Sequence, residues 1–246
     1  MKSNARPALC SFLLLLCPFL VALGACAWSG GRPAAAPAPA AQTREHAHDH
    51  GPLGHRFENA KEWSKRFDDP ARDAWQRPEE VVRLMGIEAG QTVADIGAGT
   101  GYFLKRLSRA VGEKGSVLAL DIEPDMVRHM SGRAASEGLR NVEARLVPFD
   151  DPKLGEGTVH RILIVNTWHH IPDRADYTRK LARALAPGGA VFVVDYTLES
   201  KMGPPKEHRI APGVVAAELR AGGLAAATVD EPLPEQYIVA GRLPSP

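Results

Sequence analysis

Cysteine is nearly missing from this 246-residue chain: Cys10, Cys17 and Cys26 are all it has. Everything after Cys26 therefore lacks a disulfide framework, a thiolate metal site and a cysteine nucleophile. Net charge is equally scarce, +1 with histidine neutral. No global field draws in nucleic acid or an anionic membrane. There is no long basic run and no repeat at solenoid spacing. Long hydrophobic runs are absent too. The greasiest stretch, FLLLLCPFLVAL within residues 8–23, falls short of the roughly 20 residues that span a bilayer as a helix, and Pro18 interrupts it.

What surrounds that stretch has a different logic. Lys2 and Arg6 precede it, and Gly24 and Ala25 follow, the three-part layout of an export signal. Leu23-Gly24-Ala25-Cys26 resembles a bacterial lipobox. The resemblance implies that Cys26 becomes the mature N-terminus and carries acyl chains, several of which hold a protein on a membrane where one binds marginally. Ala27, in place of an aspartate, points to the outer membrane facing the periplasm. A plain secretory signal, an uncleaved anchor, or a misassigned start before a cytoplasmic enzyme are the alternatives. The expected division is residues 1–25 as signal peptide, 26–56 as tether and 57–246 as folded domain. SGGRPAAAPAPAAQ cannot bury a core and reads as a semi-extended spacer. HAHDHGPLGH follows, with His46, His48, Asp49, His50 and His55. No rigid scaffold fixes these histidines, so the expectation is a solvated tether and no metal site.

From Phe57 the rhythm changes. Phe57, Ala60, Trp63 and Phe67 recur at helical spacing. RPEEVVRLMG reads as a second short helix with Glu79 and Glu80 in its first turn, where the dipole favours them. TVADI, SVLALDI, VEARLV, RILIVN and AVFVVDY then alternate with YFLKRLSRAVG, EPDMVRHMSGRAASEG and RADYTRKLARALAPGG. Continuously apolar strands alternating with helices imply a mostly parallel sheet covered on both faces, an α/β Rossmann-like doubly wound architecture. PGVVAAELRAGG, LAAATVDE and QYIVAGRL supply a last helix and two closing strands. Gly188-Gly189 is expected to stop the helix over 173–186.

In open α/β sheets the ligand sits beyond the carboxyl ends of the strands. After the first strand comes Asp95-Ile96-Gly97-Ala98-Gly99-Thr100-Gly101. Its glycines allow a sharp turn and close approach to a ligand. The spacing is GxGxG, not the GxGxxG of a dinucleotide site, and no Gly-Lys-Ser/Thr ending makes it a phosphate loop. Asp121 ends the second strand, where a carboxylate can accept from both hydroxyls of a ribose. Asp150 and Asp151 follow the third, where one of them can accept an adenine amine.

VADIGAGTGYF, LALDIEPDM, FDDPKL and LARALAPGGAVFVVDY, in that order, resemble the class I S-adenosylmethionine-dependent methyltransferases over roughly residues 75–243. The resemblance implies a seven-stranded sheet whose last strand is antiparallel. It implies that Asp95, Gly97, Gly99 and Gly101 line the methionine side of S-adenosylmethionine and that Asp121 binds the ribose. Ile122 would lie beside the adenine, and Asp150 or Asp151 would touch its amine. RDAWQRPEEVV, NTWHHIPD, GPPKEHRI and LPEQYIV look more narrowly like a bacterial group of methyltransferase-like proteins.

The acceptor should lie after the fourth strand, at Asn166-Thr167-Trp168-His169-His170. His169 or His170 is a candidate general base, since histidine titrates near neutrality; capping or packing is the plainer role for either. Trp168, Tyr196, His208 and Arg209 are candidate acceptor contacts, the last two on a Pro-stiffened loop. Asn166-Thr167-Trp168-His169 departs from the Asn/Asp-Pro-Pro-aromatic motif that acts on nucleobase amino groups, which argues against a nucleic-acid partner. The expected function is methyl transfer to a small-molecule or lipid-like acceptor. The alternative is a non-catalytic nucleoside-binding sensor.

Overall fold

The computed structural model describes residues 57–230 and 233–244. The expected signal peptide, the lipidation candidate Cys26 and the histidine-bearing tether lie outside the described residues. Three short helices come first: α1 (Ala60–Phe67), α2 (Arg72–Gln76) and α3 (Pro78–Leu84). Then β1 (Thr92–Ile96), α4 (Leu104–Val111), β2 (Ser116–Asp121), α5 (Pro124–Ser136) and β3 (Val142–Leu146) alternate. They are followed by β4 (Val159–Val165), α6 (Arg174–Ala184), β5 (Leu185–Tyr196), α7 (Pro212–Ala221), β6 (Ala225–Val229) and β7 (Gln236–Arg242). The strands form one seven-stranded sheet in the order β3-β2-β1-β4-β5-β7-β6. All neighbours pair in parallel except β7, which is antiparallel to both β5 and β6.

Successive residues of the central strands go to opposite faces, as the pleat requires. Ile162, Ile164, Val191 and Val193 belong to the core under α6 and α7, with Tyr177, Leu181, Val215 and Leu219. Leu163, Val165, Phe192 and Val194 belong to the core under α3 and α4, with Val81, Leu104 and Leu107. Both faces being covered is why these strands read as unbroken apolar runs. The chain leaves β1 toward β2 and β3, then returns to place β4 on the other side of β1. That reversal opens a crevice beyond the carboxyl ends of β1 and β4.

Two expectations need correction. The glycine pair does not end a helix over 173–186. α6 stops at Ala184 and β5 begins at Leu185, which pairs with Val159; the register then jumps to Arg161 opposite Ala190. Residues 186–189 bulge out of the ladder, because Pro187 has no N–H to donate and Gly188 turns at φ +74. The second correction is α2. RDAWQ forms a five-residue helix that runs into α3 through Arg77 at φ +46. A single turn is too short to show a period in sequence.

Candidate active site

The crevice begins with the turn after β1. Gly97, Gly99 and Gly101 have φ of +68, +59 and +83, the left-handed region that strains any side-chain-bearing residue. A Cβ on Gly97 would lie 2.3 Å from Thr167 Oγ1, and one on Gly101 would lie 2.5 Å from Leu104 Cδ1. These two glycines are demanded by close packing as well as by backbone. A Cβ on Gly99 would meet only the Phe67 ring, at 3.7 Å.

Asp121, at the tip of β2, is buried and locks onto this turn. Its Oδ2 accepts the Gly99 N–H at 2.8 Å and its Oδ1 the Glu123 N–H at 3.0 Å. Burial pushes its carboxyl up to about 6, against the pull of those backbone donors. Asp95 is buried beside it and is pushed up to about 7, again by burial, with Arg72 opposing and the Asp121 charge adding. Ile122 is half-buried next to Asp121. Beyond β3, Asp150 is exposed and its carbonyl accepts from Lys180 Nζ at 2.7 Å. The Asp151 carboxylate takes the Lys153 N–H at 2.8 Å and Lys153 Nζ at 2.9 Å, so it is occupied within its own loop.

The helices before the sheet roof this crevice. Asp68 accepts from Thr100 Oγ1 at 3.0 Å and from Arg133 Nη1 at 2.8 Å. The Tyr102 hydroxyl donates to Asp73. The Phe57 N–H reaches Glu123 Oε1 at 3.3 Å. The rings of Phe57, Trp63 and Phe67 pack on one another, and Phe57 meets His170 edge-on with centroids 5.9 Å apart. This aromatic roof runs from Gly99 to His170.

At the end of β4, Asn166 turns at φ +54 and a 3-10 turn, Trp168–His170, begins. Successive side chains of such a turn point about 120° apart. Trp168 points into the core, fully buried, its Nε1–H donating to Glu218 of α7 at 2.8 Å. It is therefore not an acceptor contact. His169 points at β5: its Nδ1 lies 3.0 and 2.8 Å from the two carboxylate oxygens of Asp195. His170 remains half-buried under the roof.

A polar chain that the sequence did not reveal supports the same corner. Arg72 Nη2 donates to Gln76 Oε1 at 3.1 Å, Gln76 Nε2 to Gln236 Oε1 at 2.5 Å, and Gln236 Nε2 to Asn166 Oδ1 at 2.6 Å. Gln76 and Gln236 are buried. Each amide is satisfied by the next, as burial requires. Partners 160 residues apart leave no mark in a sequence.

Tyr196, after β5, is half-buried with its ring 6.0 Å from that of Trp75. Burial raises its hydroxyl above the usual range, while Arg72, Arg66 and Arg209 pull the other way. Arg209 is not free to meet an acidic acceptor. Its guanidinium donates to the carbonyls of Pro204, Leu198, Ser200 and Met202, tying up the loop that carries it. His208 on that loop is exposed. Among the described residues no group of three or more histidines and carboxylates could hold a metal, and no helix is long and apolar enough to cross a membrane.

Comparison with known proteins places the domain in a family. Residues 93–189 match the family model described as "Methyltransferase domain". A solved structure of an S-adenosylmethionine-dependent methyltransferase from Aquifex aeolicus is 30% identical, with a TM-score of 0.70 over 76% of this chain and 98% of that one. A ubiquinone/menaquinone biosynthesis C-methyltransferase from Azotobacter vinelandii is 31% identical over 128 residues, 51% of this chain and 49% of its own length. The chain spans about half the length of the curated relatives it matches. A geranyl diphosphate C-methyltransferase from Streptomyces coelicolor shares the fold alone, at 15% identity and a TM-score of 0.59 over 76% of this chain and 85% of that one.

Proposed function

Because this chain belongs to the S-adenosylmethionine-dependent methyltransferases, we propose that it transfers a methyl group to a small-molecule or lipid-like acceptor by in-line displacement. The observation that carries the reading is the pair of buried carboxyls at the glycine turn. Asp121 and Asp95 both hold their protons more tightly than exposed carboxyls do. A ligand that brings hydroxyl donors and positive charge suits them, and S-adenosylmethionine carries a ribose diol, an ammonium and a sulfonium. The residues present fit it.

Asp121 would accept from the ribose hydroxyls. Asp95 and the backbone of Gly97, Gly99 and Gly101 would hold the methionine part. Ile122 would pack on the adenine, and Asp150 or Asp151 would accept its amine; Asp151 is already engaged by Lys153. When bound, the cofactor supplies a methyl group on a good leaving group, so the protein's own work is to position the acceptor and receive its proton. His169 or His170 would receive it. Tyr196, whose backbone N–H holds Asp195 Oδ1, would contact the acceptor at the rim. Family membership favours turnover over the non-catalytic sensor.

Calorimetry of the full chain with S-adenosylhomocysteine is expected to show saturable binding. No heat at millimolar concentration would sink the reading.

The lipobox resemblance extends the proposal. Cys26 is the lipidation site, residues 26–56 are a tether, and the domain at 57–246 is exported and held at the outer membrane. Acyl labelling in the native host should mark the wild type and not Cys26→Ala. Equal labelling of both would reject the anchor.

A further inference from the structure

We propose that His169 and Asp195 act as one proton-abstracting unit, and that the acceptor carries a phenolic or enolic hydroxyl whose proton His169 Nε2 receives. The proposal rests on the methyl-transfer reading above.

The geometry separates the two adjacent histidines. His169 follows β4 and Asp195 ends β5, and these strands are direct neighbours, with Val165 paired to Val194. Both oxygens of Asp195 face His169 Nδ1, at 3.0 and 2.8 Å, and both side chains are only 4% exposed. Asp195 Oδ1 is itself held by the Tyr196 N–H at 2.9 Å. An ionised carboxylate only accepts, so the proton of a neutral His169 sits on Nδ1 and the lone pair is left on Nε2. A carboxylate behind the imidazole also steadies the cation formed when Nε2 takes a proton. Asp195 is thus a positioning residue and His169 the catalytic one. His170 stands differently: its ring lies 4.4 Å from that of His169 and meets Phe57, where it can help seat an acceptor.

The acceptor class follows from what such a base can do. A general base serves best when its pKa and that of the proton donor are not far apart. Imidazole titrates near 6.5 and a phenol near 10. An alkyl hydroxyl is far more basic as its anion than imidazole can generate. A thiol ionises near neutrality with little help. The roof of Phe57, Trp63 and Phe67 offers ring faces and edges against which a flat acceptor can pack.

The step balances simply. The acceptor's oxygen forms the bond to the methyl carbon; where a ring carbon conjugated to it does so instead, that carbon then loses its hydrogen as a proton and the oxygen takes a proton back. The methyl–sulfur bond breaks and its electron pair stays on sulfur. The hydroxyl proton moves to His169 Nε2 and is later released to water.

Two measurements on the full chain test this. Histidine nitrogen NMR of the cofactor-free protein, with His169→Gln for assignment, should show His169 as the Nδ1–H tautomer. Asp195→Asn should move it to Nε2–H. Turnover is then followed with methyl-labelled S-adenosylmethionine and catechol as probe. His169→Ala and Asp195→Asn should each lower kcat by about 100-fold, and the double variant should fall no further than the singles. Affinity for S-adenosylhomocysteine should stay within about twofold. His170→Ala should instead raise the KM for catechol. An Nε2–H tautomer in the wild type, multiplicative losses, or a His169→Ala variant keeping most of its kcat would overturn the pair. A wild type that binds S-adenosylhomocysteine but methylates no phenol overturns the acceptor class. A wild type that binds none overturns the methyl-transfer reading, and the tautomer spectrum still reports on the pair.

Discussion

Asp121→Ala is expected to weaken S-adenosylhomocysteine binding by about 1,000-fold, since two hydrogen bonds to an ionised carboxylate, each worth about 2 kcal/mol, are lost. The loss has a second source. Asp121 is the acceptor for the Gly99 N–H, so its removal loosens the middle of the glycine turn that must approach the ligand, while Gly97 and Ala98 still donate to the Leu120 carbonyl of β2. Stability should change far less than affinity. The two backbone donors at Gly99 and Glu123 lose their partner, but a carboxyl that resists ionisation where it is buried is also removed. Calorimetry near pH 8 separates the two quantities when paired with a denaturant midpoint. An affinity loss under tenfold with an unchanged midpoint would refute the ribose assignment.

The second expectation concerns pH. Asp95 titrates near 7 in the folded, cofactor-free protein and Asp121 near 6, both raised from 3.8. Between 3.8 and those values the folded state holds protons that the unfolded chain has released. Stability therefore falls as pH rises through this window. The contribution is complete below about pH 4, is lost by about pH 7, and for Asp95 is on the order of 4 kcal/mol. The Asp95→Asn variant cannot ionise there. Its urea midpoint should be similar to wild type near pH 4, higher at pH 8, and flatter in between, with the Asp121 contribution remaining. A variant whose profile parallels the wild type would show that Asp95 ionises freely. S-adenosylmethionine should in turn stabilise the wild type more at pH 8 than at pH 5, because its positive charge meets ionised carboxyls.

The same two carboxyls link stability to the proposed function. Buried acids near a backbone turn weaken the empty protein at working pH, and a cationic, hydroxyl-bearing ligand relieves that cost. Their positions at the ends of β1 and β2 were readable in the sequence, since strand ends show where a buried apolar run stops. Their burial, which raises both, and the Asp121 charge that adds to the effect at Asp95, required the parallel pairing of β1 with β2.

Other parts of the site were not readable for identifiable reasons. Trp168 looked like an acceptor contact because it precedes two histidines. A 3-10 turn sends it into the core, and the local sequence does not say which of three consecutive side chains turns inward. Arg209 looked like a free cation on a loop; its donors are spent on four carbonyls of that loop. Asp195 was visible at the end of AVFVVDY, but without a partner. The Arg72–Gln76–Gln236–Asn166 chain joins helix, closing strand and site through amides that have no motif.

The sequence by itself determined the parallel α/β architecture, the order of its strands' motifs and the glycine–aspartate set at the first two strand ends. These are local properties: apolar period, turn chemistry and the residue type at each strand terminus. Only the tertiary structure decided which histidine meets a carboxylate, which aromatic residues roof the crevice and which arginine is already occupied. Those outcomes depend on neighbouring strands and helices far away in the chain, and a side chain's direction is set by what packs against it.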